Sequence, residues 1–393
     1  MAYQKLMSAS VSTVLGLSCL LFQVGAVAQQ PENQKSSNTT REWKTFRDWC
    51  ENRDNLNPEA KYTVEVILER IRVQDCQQAH QKLLHQTSLD LSNQSSSSQR
   101  LEDISPLASL THLEELNLDF NRIRDINPLS SLVNLRVLYL KHGTISTRRY
   151  LIRNHTYESL DLTPIANLLN LEHLDISKNI ITNLEPLDSL TNLQHLIIDC
   201  IGFCSYPSLA ETHPDLAEQY NHSVDITPLS NLTNLKILHF NNNPHIQDLS
   251  PLASLKQLQV LGVSHNSIKD IRFLKDLVNL EALYLAANQF KDVSPLQNLK
   301  KMRILSMTNN RQISDITHLS SLTNLQELNL YMNQITDVTP LSSLQNLLVL
   351  NLQSNPIQDL SPLSSLTNLQ ALAINSGMGL SCPFHRETIC VWK

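Results

Sequence analysis

Histidine is the side chain best suited to bind a metal or to move a proton near neutral pH, and this sequence of 393 residues contains 14 of them. His173 and His195 lie 22 residues apart, and Asp175 follows the first at a spacing of two. Two imidazoles could share a metal ion or a proton. Because most other histidines stand singly and Asp175 is the one carboxylate evident near the pair, we expect no metal and no cofactor.

Catalytic motifs give no support for an enzyme. The sequence has no nucleophile elbow, phosphate-binding loop, metalloprotease helix or dinucleotide-binding fingerprint, and its 7 glycines are not clustered. The formal net charge of -6 also gives no support for a nucleic-acid partner. We therefore expect a non-enzymatic protein.

The first residues have the features of an export signal. Lys5 precedes an apolar stretch from about Val11 to Phe22, and Ala26-Val27-Ala28 forms a small-residue cleavage site before Gln29. The stretch is too short for a stable membrane span. We expect residues 1–28 to be a signal peptide, residues 29–41 a flexible linker, and the mature chain to be periplasmic or extracellular.

Cleavage after Ala28 would leave six cysteines in three local pairs. An even number of cysteines in an exported chain favours disulfides. We expect the pairings Cys50–Cys76, Cys200–Cys204 and Cys382–Cys390. Zinc is a weaker alternative, because no second cysteine or histidine pair stands at ligand spacing.

The elements that position these residues follow from an internal repeat. The motif D/N-(I/L/V)-x-P-L-x-x-L-x-x-L-x-x-L-x-L-x-x-N-x-(I/L) returns ten times, most often after 22 residues. The clearest copies are Asp103 to Arg124, Asp248 to Lys269, Asp315 to Thr336 and Asp337 to Gln358. The L-x-L step has the period of a short strand, so stacked copies predict a parallel sheet in one elongated domain.

Three residues that recur in the motif predict how the chain turns after each strand and returns to the sheet. The asparagine follows the strand by three residues, where a buried amide can satisfy backbone groups of neighbouring repeats. The proline limits the following segment to short 3₁₀ or irregular turns, and the aspartate is expected to cap the local backbone rather than bind calcium. The asparagines are Asn121, Asn179, Asn243, Asn266, Asn288, Asn310, Asn333 and Asn355.

The repeat resembles the leucine-rich repeat family, and its 22-residue form is similar to the internalin-type subclass. The resemblance covers about Thr87 to Gly377. It implies an α/β repeat solenoid, a horseshoe or arc, with a parallel sheet on the concave side and 3₁₀ or irregular turns on the convex side. It also implies that the concave face and any loop insertions bind other macromolecules.

Both ends of such a solenoid need caps. We expect a helical N-terminal cap at residues 42–86, because Val64, Ile67, Leu68 and Ile71 have helical spacing. The solenoid would then cover residues 87–377. Residues 378–393 would form a C-terminal disulfide cap, whose short loop takes the place of the next strand and turn.

Two insertions interrupt the repeats, at residues 147–160 and 199–224, with one repeat between them. The first is basic and includes Arg149 and Arg153, whereas the second is acidic and aromatic and includes Phe203 and Tyr206. Because both leave the same edge of the sheet, they are predicted to touch and to form a lid over the binding face.

Aromatic and histidine side chains are concentrated in the strands beside these insertions. Amphipathic rings lose few rotors on binding and suit protein recognition. We therefore expect a secreted, monomeric scaffold that binds a protein partner; the alternative is a glycan-binding protein that uses the same aromatics. The predicted contact residues of the strands are Tyr139, His173, His195, Ile197, His239 and Tyr284.

Overall fold

The computed structural model describes residues 43–93, 99–141, 159–202, 224–375, 381–384 and 390–392. All of them belong to one compact unit, Trp43–Lys393. The predicted signal peptide and linker lie outside the described residues. Among the helices that the structure describes, none is long and apolar enough to cross a membrane.

The described residues of this unit form one parallel sheet of 13 strands, arranged in sequence order. From β1 to β12 the central leucine of every strand is at most 4% exposed, and the two flanking residues point away from the core. This alternation follows from the L-x-L step. The strands are β1 Ser88–Asp90, β2 Glu115–Asn117, β3 Val137–Tyr139, β4 His173–Asp175, β5 His195–Ile197, β6 Ile237–His239, β7 Val260–Gly262, β8 Ala282–Tyr284, β9 Ile304–Ser306, β10 Glu327–Asn329, β11 Val349–Asn351, β12 Ala371–Ile374 and β13 Cys390–Trp392.

Short 3₁₀ helices form the side of each repeat that faces away from the sheet, and in most of them the proline of the motif is the second residue. Proline suits the first turn of such a helix because its φ is already restricted and its missing N–H would be unpaired there. The predicted parallel sheet and 3₁₀ turns of a repeat solenoid are thus confirmed. The 3₁₀ helices of the repeats are Ser105–Ser109, Asn127–Ser131, Thr163–Ile165, Glu185–Leu187, Thr227–Asn231, Ser250–Ser254, Arg272–Asp276, Ser294–Leu296, Thr317–Ser321, Thr339–Ser343 and Ser361–Ser365.

The aspartate before each 3₁₀ helix caps the backbone, as predicted. In Asp248 the Oδ1 atom accepts a hydrogen bond from the backbone N–H of Ser250 at 2.9 Å, and Asp337 accepts from Thr339 at 2.8 Å. Asn183 replaces the aspartate in one repeat and accepts the same bond from Glu185 at 2.8 Å. An amide can therefore take this role, which shows that the capping bond does not require a negative charge.

The buried asparagines connect neighbouring repeats. Asn288 is 5% exposed, and its Nδ2 donates to the carbonyl of Val263 in the preceding repeat at 2.9 Å and to Leu285 at 3.0 Å. Its Oδ1 accepts from the backbone N–H groups of Ile268 and Asn266 at 3.0 and 3.1 Å. The prediction that this amide both donates to and accepts from the backbone is confirmed.

Two further columns of the repeat were not predicted. The residue before each buried asparagine has positive φ, from 53° at Ala287 to 64° at Phe120, although none of these positions is a glycine. A second asparagine column, just before the strands, donates to the carbonyl of the preceding repeat; Asn279 donates to Lys256 at 2.8 Å and Asn324 to Lys300 at 2.7 Å. Each column corresponds to one position of the repeat.

Within the described residues, three α-helices precede the first strand: α1 Phe46–Glu51, α2 Pro58–Ile71 and α3 Cys76–Leu84. A capping box between Thr45 and Asp48 starts α1, and Asn57 caps α2, whose Pro58 is at the first position. Phe46 is fully buried in the same core as the repeat leucines. The helical N-terminal cap of the predicted fold is therefore present.

Disulfides close both ends of the described chain. Cys50–Cys76 joins α1 to α3, and Cys382–Cys390 lies in the tail, as predicted. Cys200 is also disulfide-bonded, and its predicted partner Cys204 lies outside the described residues. The prediction that the tail replaces the next strand was wrong, because residues 390–392 form β13, which pairs in parallel with β12.

The two insertions lie almost wholly outside the described residues. One segment outside the described residues begins after Lys141, just beyond β3, and another begins after Gly202, just beyond β5. Since β3, β4 and β5 are consecutive neighbours and parallel, both departures are at the same edge of the sheet. The predicted lid, with Arg149, Arg153, Phe203 and Tyr206, lies outside the described residues and stays a prediction.

Candidate functional site

The candidate site is the outward surface of the sheet, which we call the sheet face. Each repeat contributes three outward residues: the first and third of its strand, and the residue two positions after the strand. Across β1 to β12 these residues form three columns in register, because the strands pair without offset. The sheet face therefore has a regular grid of side chains on a fixed backbone.

Three aromatic rings lie in contact on β3, β4 and β5. The ring of Tyr139 is centred 4.9 Å from that of His173, and the ring of His173 is centred 5.4 Å from that of His195. The pairing of β4 with β5 places the two histidines directly side by side, as the 22-residue spacing predicts. Their Nδ1 atoms are 3.3 Å apart.

His173 is held in a partly desolvated position. Burial lowers its pKa, and the nearby His195 lowers it further, against the opposite effects of Asp175 and Glu115. Its second ring nitrogen, Nε2, is buried and has no hydrogen-bond partner within the part of the chain that the structure describes. The imidazole of His173 thus keeps one ring nitrogen without a partner at this face.

The other predicted contact residues of the strands extend the site to β8. Ile197, His239 and Tyr284 occupy the central column of β5, β6 and β8, and each is partly exposed. Gly262 separates the last two, and a Cβ there would lie 3.0 Å from the amide of Asn241. Because glycine has no side chain, nothing projects from the sheet face at this position between His239 and Tyr284.

Three carboxylates on the same face were missed among the predicted contact residues. Asp119 follows β2, Asp175 ends β4 and Asp199 follows β5. Their Oδ1 atoms accept backbone hydrogen bonds from Lys141 at 2.8 Å, Ser177 at 2.9 Å and Asn241 at 2.6 Å, respectively. A signal was present in the sequence, since each occupies an outward column of the repeat.

Burial makes two of these carboxylates weaker acids than usual. It raises the pKa of Asp119 to about 6, although the hydrogen bond from Lys141 acts in the opposite direction. Burial also raises the pKa of Asp199, against the hydrogen bond from Asn241 and the effect of His239. The charge of Asp175 raises both pKa values further.

A polar groove borders the sheet face at the start of β2 to β5. It has a volume of about 550 Å³, and Arg136 crosses it to bind Glu172 at 2.8 Å and to approach Glu114 at 4.0 Å. These side chains are exposed, so the ion pairs contribute little to stability. The groove lining adds His112, Asn134, Asn170, Asn192 and Gln194.

The chemistry that this arrangement supports is binding. Within the described ranges, no group of three or more histidine, cysteine, aspartate or glutamate side chains is arranged to hold a metal ion. His173 and His195 can share a proton through their Nδ1 atoms, and Tyr139 adds an amphipathic surface beside them. The fixed sheet holds these groups in place for a partner.

Comparison with known proteins gives a consistent picture. A family model of leucine-rich repeats in two copies matches residues 111–147, 256–298, 279–321, 300–343 and 323–365. No curated protein sequence matches the chain. The structure is similar to that of the internalin InlF from Listeria monocytogenes, with 28% identity, a TM-score of 0.63, and coverage of 86% of this chain and 94% of that one.

Two other solved structures share shorter or more distant similarity. Internalin C2 from Listeria monocytogenes is 31% identical, with a TM-score of 0.46 and coverage of 53% of this chain and 83% of that one. The plant peptide hormone receptor RGFR1, solved in complex with RGF2, is 21% identical, with a TM-score of 0.47 and coverage of 74% of this chain and 48% of that one.

Proposed function

This chain belongs to the leucine-rich repeat family and is internalin-like, and on that premise we propose that it is an exported, non-enzymatic scaffold that binds a protein partner through its sheet face. The observation that carries the proposal is the ring cluster of Tyr139, His173 and His195, fixed on three adjacent strands. Rings that are held in place lose little entropy when a partner covers them.

The size of the sheet face supports a protein as the partner. Eleven strand spacings of roughly 4.8 Å and about 13 Å along each strand give an area of about 700 Å². This is close to the roughly 800 Å² that each partner buries in a stable protein complex. The proposed contact residues Ile197, His239 and Tyr284 lie within this area.

A glycan is the alternative ligand, and the ring contacts favour it less. Stacking on a sugar needs an open aromatic face, but the ring of Tyr139 packs on His173 at 4.9 Å. Burial raises the pKa of Tyr284, which shows that this side chain is also partly covered. A protein surface can use such half-covered rings through their edges and hydroxyl groups.

Export is part of the proposal. Disulfides persist in oxidising compartments, and Cys50–Cys76 and Cys382–Cys390 are both formed in this chain. Together with the signal-like residues 1–28, they support a periplasmic or extracellular location for a monomeric scaffold.

The test is affinity capture with the chain from Gln29 onward, using the envelope and medium of the source organism. The parent chain is compared with a Tyr139→Glu/Tyr284→Glu variant of the sheet face and with Arg272→Glu, a control at a side chain that is 80% exposed on a 3₁₀ turn. We expect one protein to be retained by the parent and the control and to be lost with the face variant. Equal retention by all three would place the binding surface elsewhere.

Deleting the insertions tests whether they take part. We expect removal of residues 148–157 or 203–220, closed by a short Gly-Ser linker, to leave the solenoid folded, because long surface segments contribute little to core stability. Capture of the same protein should fall sharply in both deletions if the predicted contact residues Arg149, Arg153, Phe203 and Tyr206 belong to the site. Unchanged capture would restrict the site to the sheet face.

A further inference from the structure

We propose that the part of the sheet face formed by β1 to β6 recognises a cationic polypeptide segment, one that presents lysine or arginine side chains from an extended backbone. This inference rests on the proposed function, because it names the chemistry of the partner that covers the sheet face. Its support comes from the distribution of charge, from unused hydrogen-bonding atoms and from the spacing of the carboxylates.

Charge divides the sheet face into two unlike parts. The three outward columns of β1 to β6 contain five carboxylates and a single lysine, Lys141. The same columns from β7 to β12 contain one charged side chain, Glu327. The five carboxylates belong to Asp90, Glu115, Asp119, Asp175 and Asp199.

Hydrogen bonds leave one oxygen free on each of three carboxylates. Asp119, Asp175 and Asp199 use Oδ1 to accept backbone N–H groups, and within the described part of the chain their Oδ2 atoms accept no hydrogen bond. Burial raises the pKa of Asp119 and Asp199, so an incoming ammonium or guanidinium group would stabilise their charged forms.

His173 supplies the reason to infer a polypeptide rather than a simple cation. Its buried Nε2 has no partner among the described residues. If this nitrogen carries the proton it needs an acceptor, and if it does not it needs a donor. An extended peptide backbone offers both a carbonyl and an N–H group beside its charged side chains, whereas a polyamine offers donors alone.

The spacing of the carboxylates sets the spacing of the basic residues. Asp119 and Asp199 lie in the same outward column, three strands or roughly 14 Å apart, and Asp175 lies between them in the adjacent column. An extended chain advances roughly 3.3 Å per residue and presents alternate side chains on one face, so three basic side chains at alternate positions span roughly 13 Å and face these carboxylates together. A seven-residue peptide with arginine at its second, fourth and sixth positions fits the pattern.

The experiment measures binding of that peptide, with alanine and serine at its other positions, by calorimetry at pH 7.5. We expect the double variant Asp119→Asn/Asp199→Asn, which keeps both Oδ1 acceptors, to weaken binding at least tenfold. The matched control Glu327→Gln/Asp315→Asn removes the same charge from β10 and from an exposed turn, and it should leave affinity within twofold. An equal loss of peptide affinity in both variants would mean that only the net charge of the protein matters, which would overturn the proposal.

Two further probes separate this inference from the proposed function. Spermine should bind at least fivefold more weakly than the peptide, and equal affinity would overturn recognition of a polypeptide. If the peptide does not bind while a captured protein still depends on Tyr139 and Tyr284, the inference on charge fails and the scaffold function stands. If peptide binding depends on Asp119 and Asp199 but the Tyr139→Glu/Tyr284→Glu variant captures the same protein as the parent chain, the proposed scaffold function is wrong instead.

Discussion

The Nδ1 atom of His173 lies 3.3 Å from the Nδ1 atom of His195, across the pairing of β4 with β5. One of these nitrogens must donate and the other accept, so the contact holds a single proton between the two rings. Protonating both rings would bring two N–H groups together. The pair therefore favours a neutral His173 on the surface that we propose for binding.

Removing the second ring should make His173 a stronger base. We expect His195→Gln to raise the pKa of His173 towards its ordinary value, although burial, the main cause of its low pKa, remains. Ring nitrogen shifts in an NMR titration measure this directly. His239→Gln, on the next strand, serves as the control and should leave the titration of His173 unchanged.

The carboxyl group of Asp119 should make the stability of the protein depend on pH. Its pKa is about 6 in the folded protein against an ordinary value of 3.8, so between these values the folded chain keeps a proton that the unfolded chain has lost. Stability therefore falls as the pH rises through this window and is lowest above it.

Asp119→Asn removes that penalty and keeps the acceptor for Lys141. We expect the variant to be more stable than the parent by about 1 to 2 kcal/mol at pH 7.5 and to differ little at pH 4. Thermal unfolding at the two pH values measures the difference, with Asp248→Asn at an exposed turn as the control. A variant that gains as much at pH 4 would contradict the burial of this carboxyl.

The two asparagine columns should differ in their contribution to stability. Asn288→Ala leaves buried carbonyl and N–H groups without partners, and we expect it to cost at least about 2 kcal/mol. Asn279→Ala, in the neighbouring exposed column, breaks one surface hydrogen bond and should cost about 0.5 to 1 kcal/mol. Denaturant unfolding of the two variants tests this order, and equal costs would contradict it.

Positive φ at Ala287 predicts a stabilising substitution. Its φ is 53°, in the left-handed region where a side chain with a Cβ clashes with the backbone and glycine does not. Ala287→Gly should therefore raise the free energy of unfolding by about 0.5 to 1 kcal/mol. Ala286→Gly, one residue earlier, increases the backbone entropy of the unfolded chain but relieves no backbone strain in the folded one. It should therefore lower the free energy of unfolding. Melting temperatures that move in the same direction would show that the backbone at Ala287 carries no strain.

The tail disulfide should stabilise only the last repeats. Replacing Cys382 and Cys390 with serine removes a short crosslink, for which we expect a cost of about 2 to 3 kcal/mol. Because repeat stability passes between neighbours, hydrogen exchange should accelerate at Ala371 to Ile374 and stay slow at β6. Uniform acceleration would mean that the solenoid unfolds as one unit.

The sequence by itself determined the register of the sheet. In a repeat solenoid each residue contacts its equivalents one period away, so a spacing of 22 residues places His173 beside His195 without further information. The same reasoning assigned the roles of Asn288 and Asp248, because the polar residue of each column meets the same backbone groups in every repeat. The helical cap followed from the spacing of its apolar residues.

Only the tertiary structure decided how deeply the carboxylates of the sheet face are buried and where the backbone is strained. Asp119, Asp175 and Asp199 are separated by interrupted repeats, and their burial depends on the neighbours that the folded sheet places around them. Positive φ occurs at phenylalanine, lysine, alanine and methionine alike, so residue type carried no signal. The strand β13 lacks the repeat motif, and it forms because the open edge of β12 offers unpaired hydrogen-bonding groups to the tail.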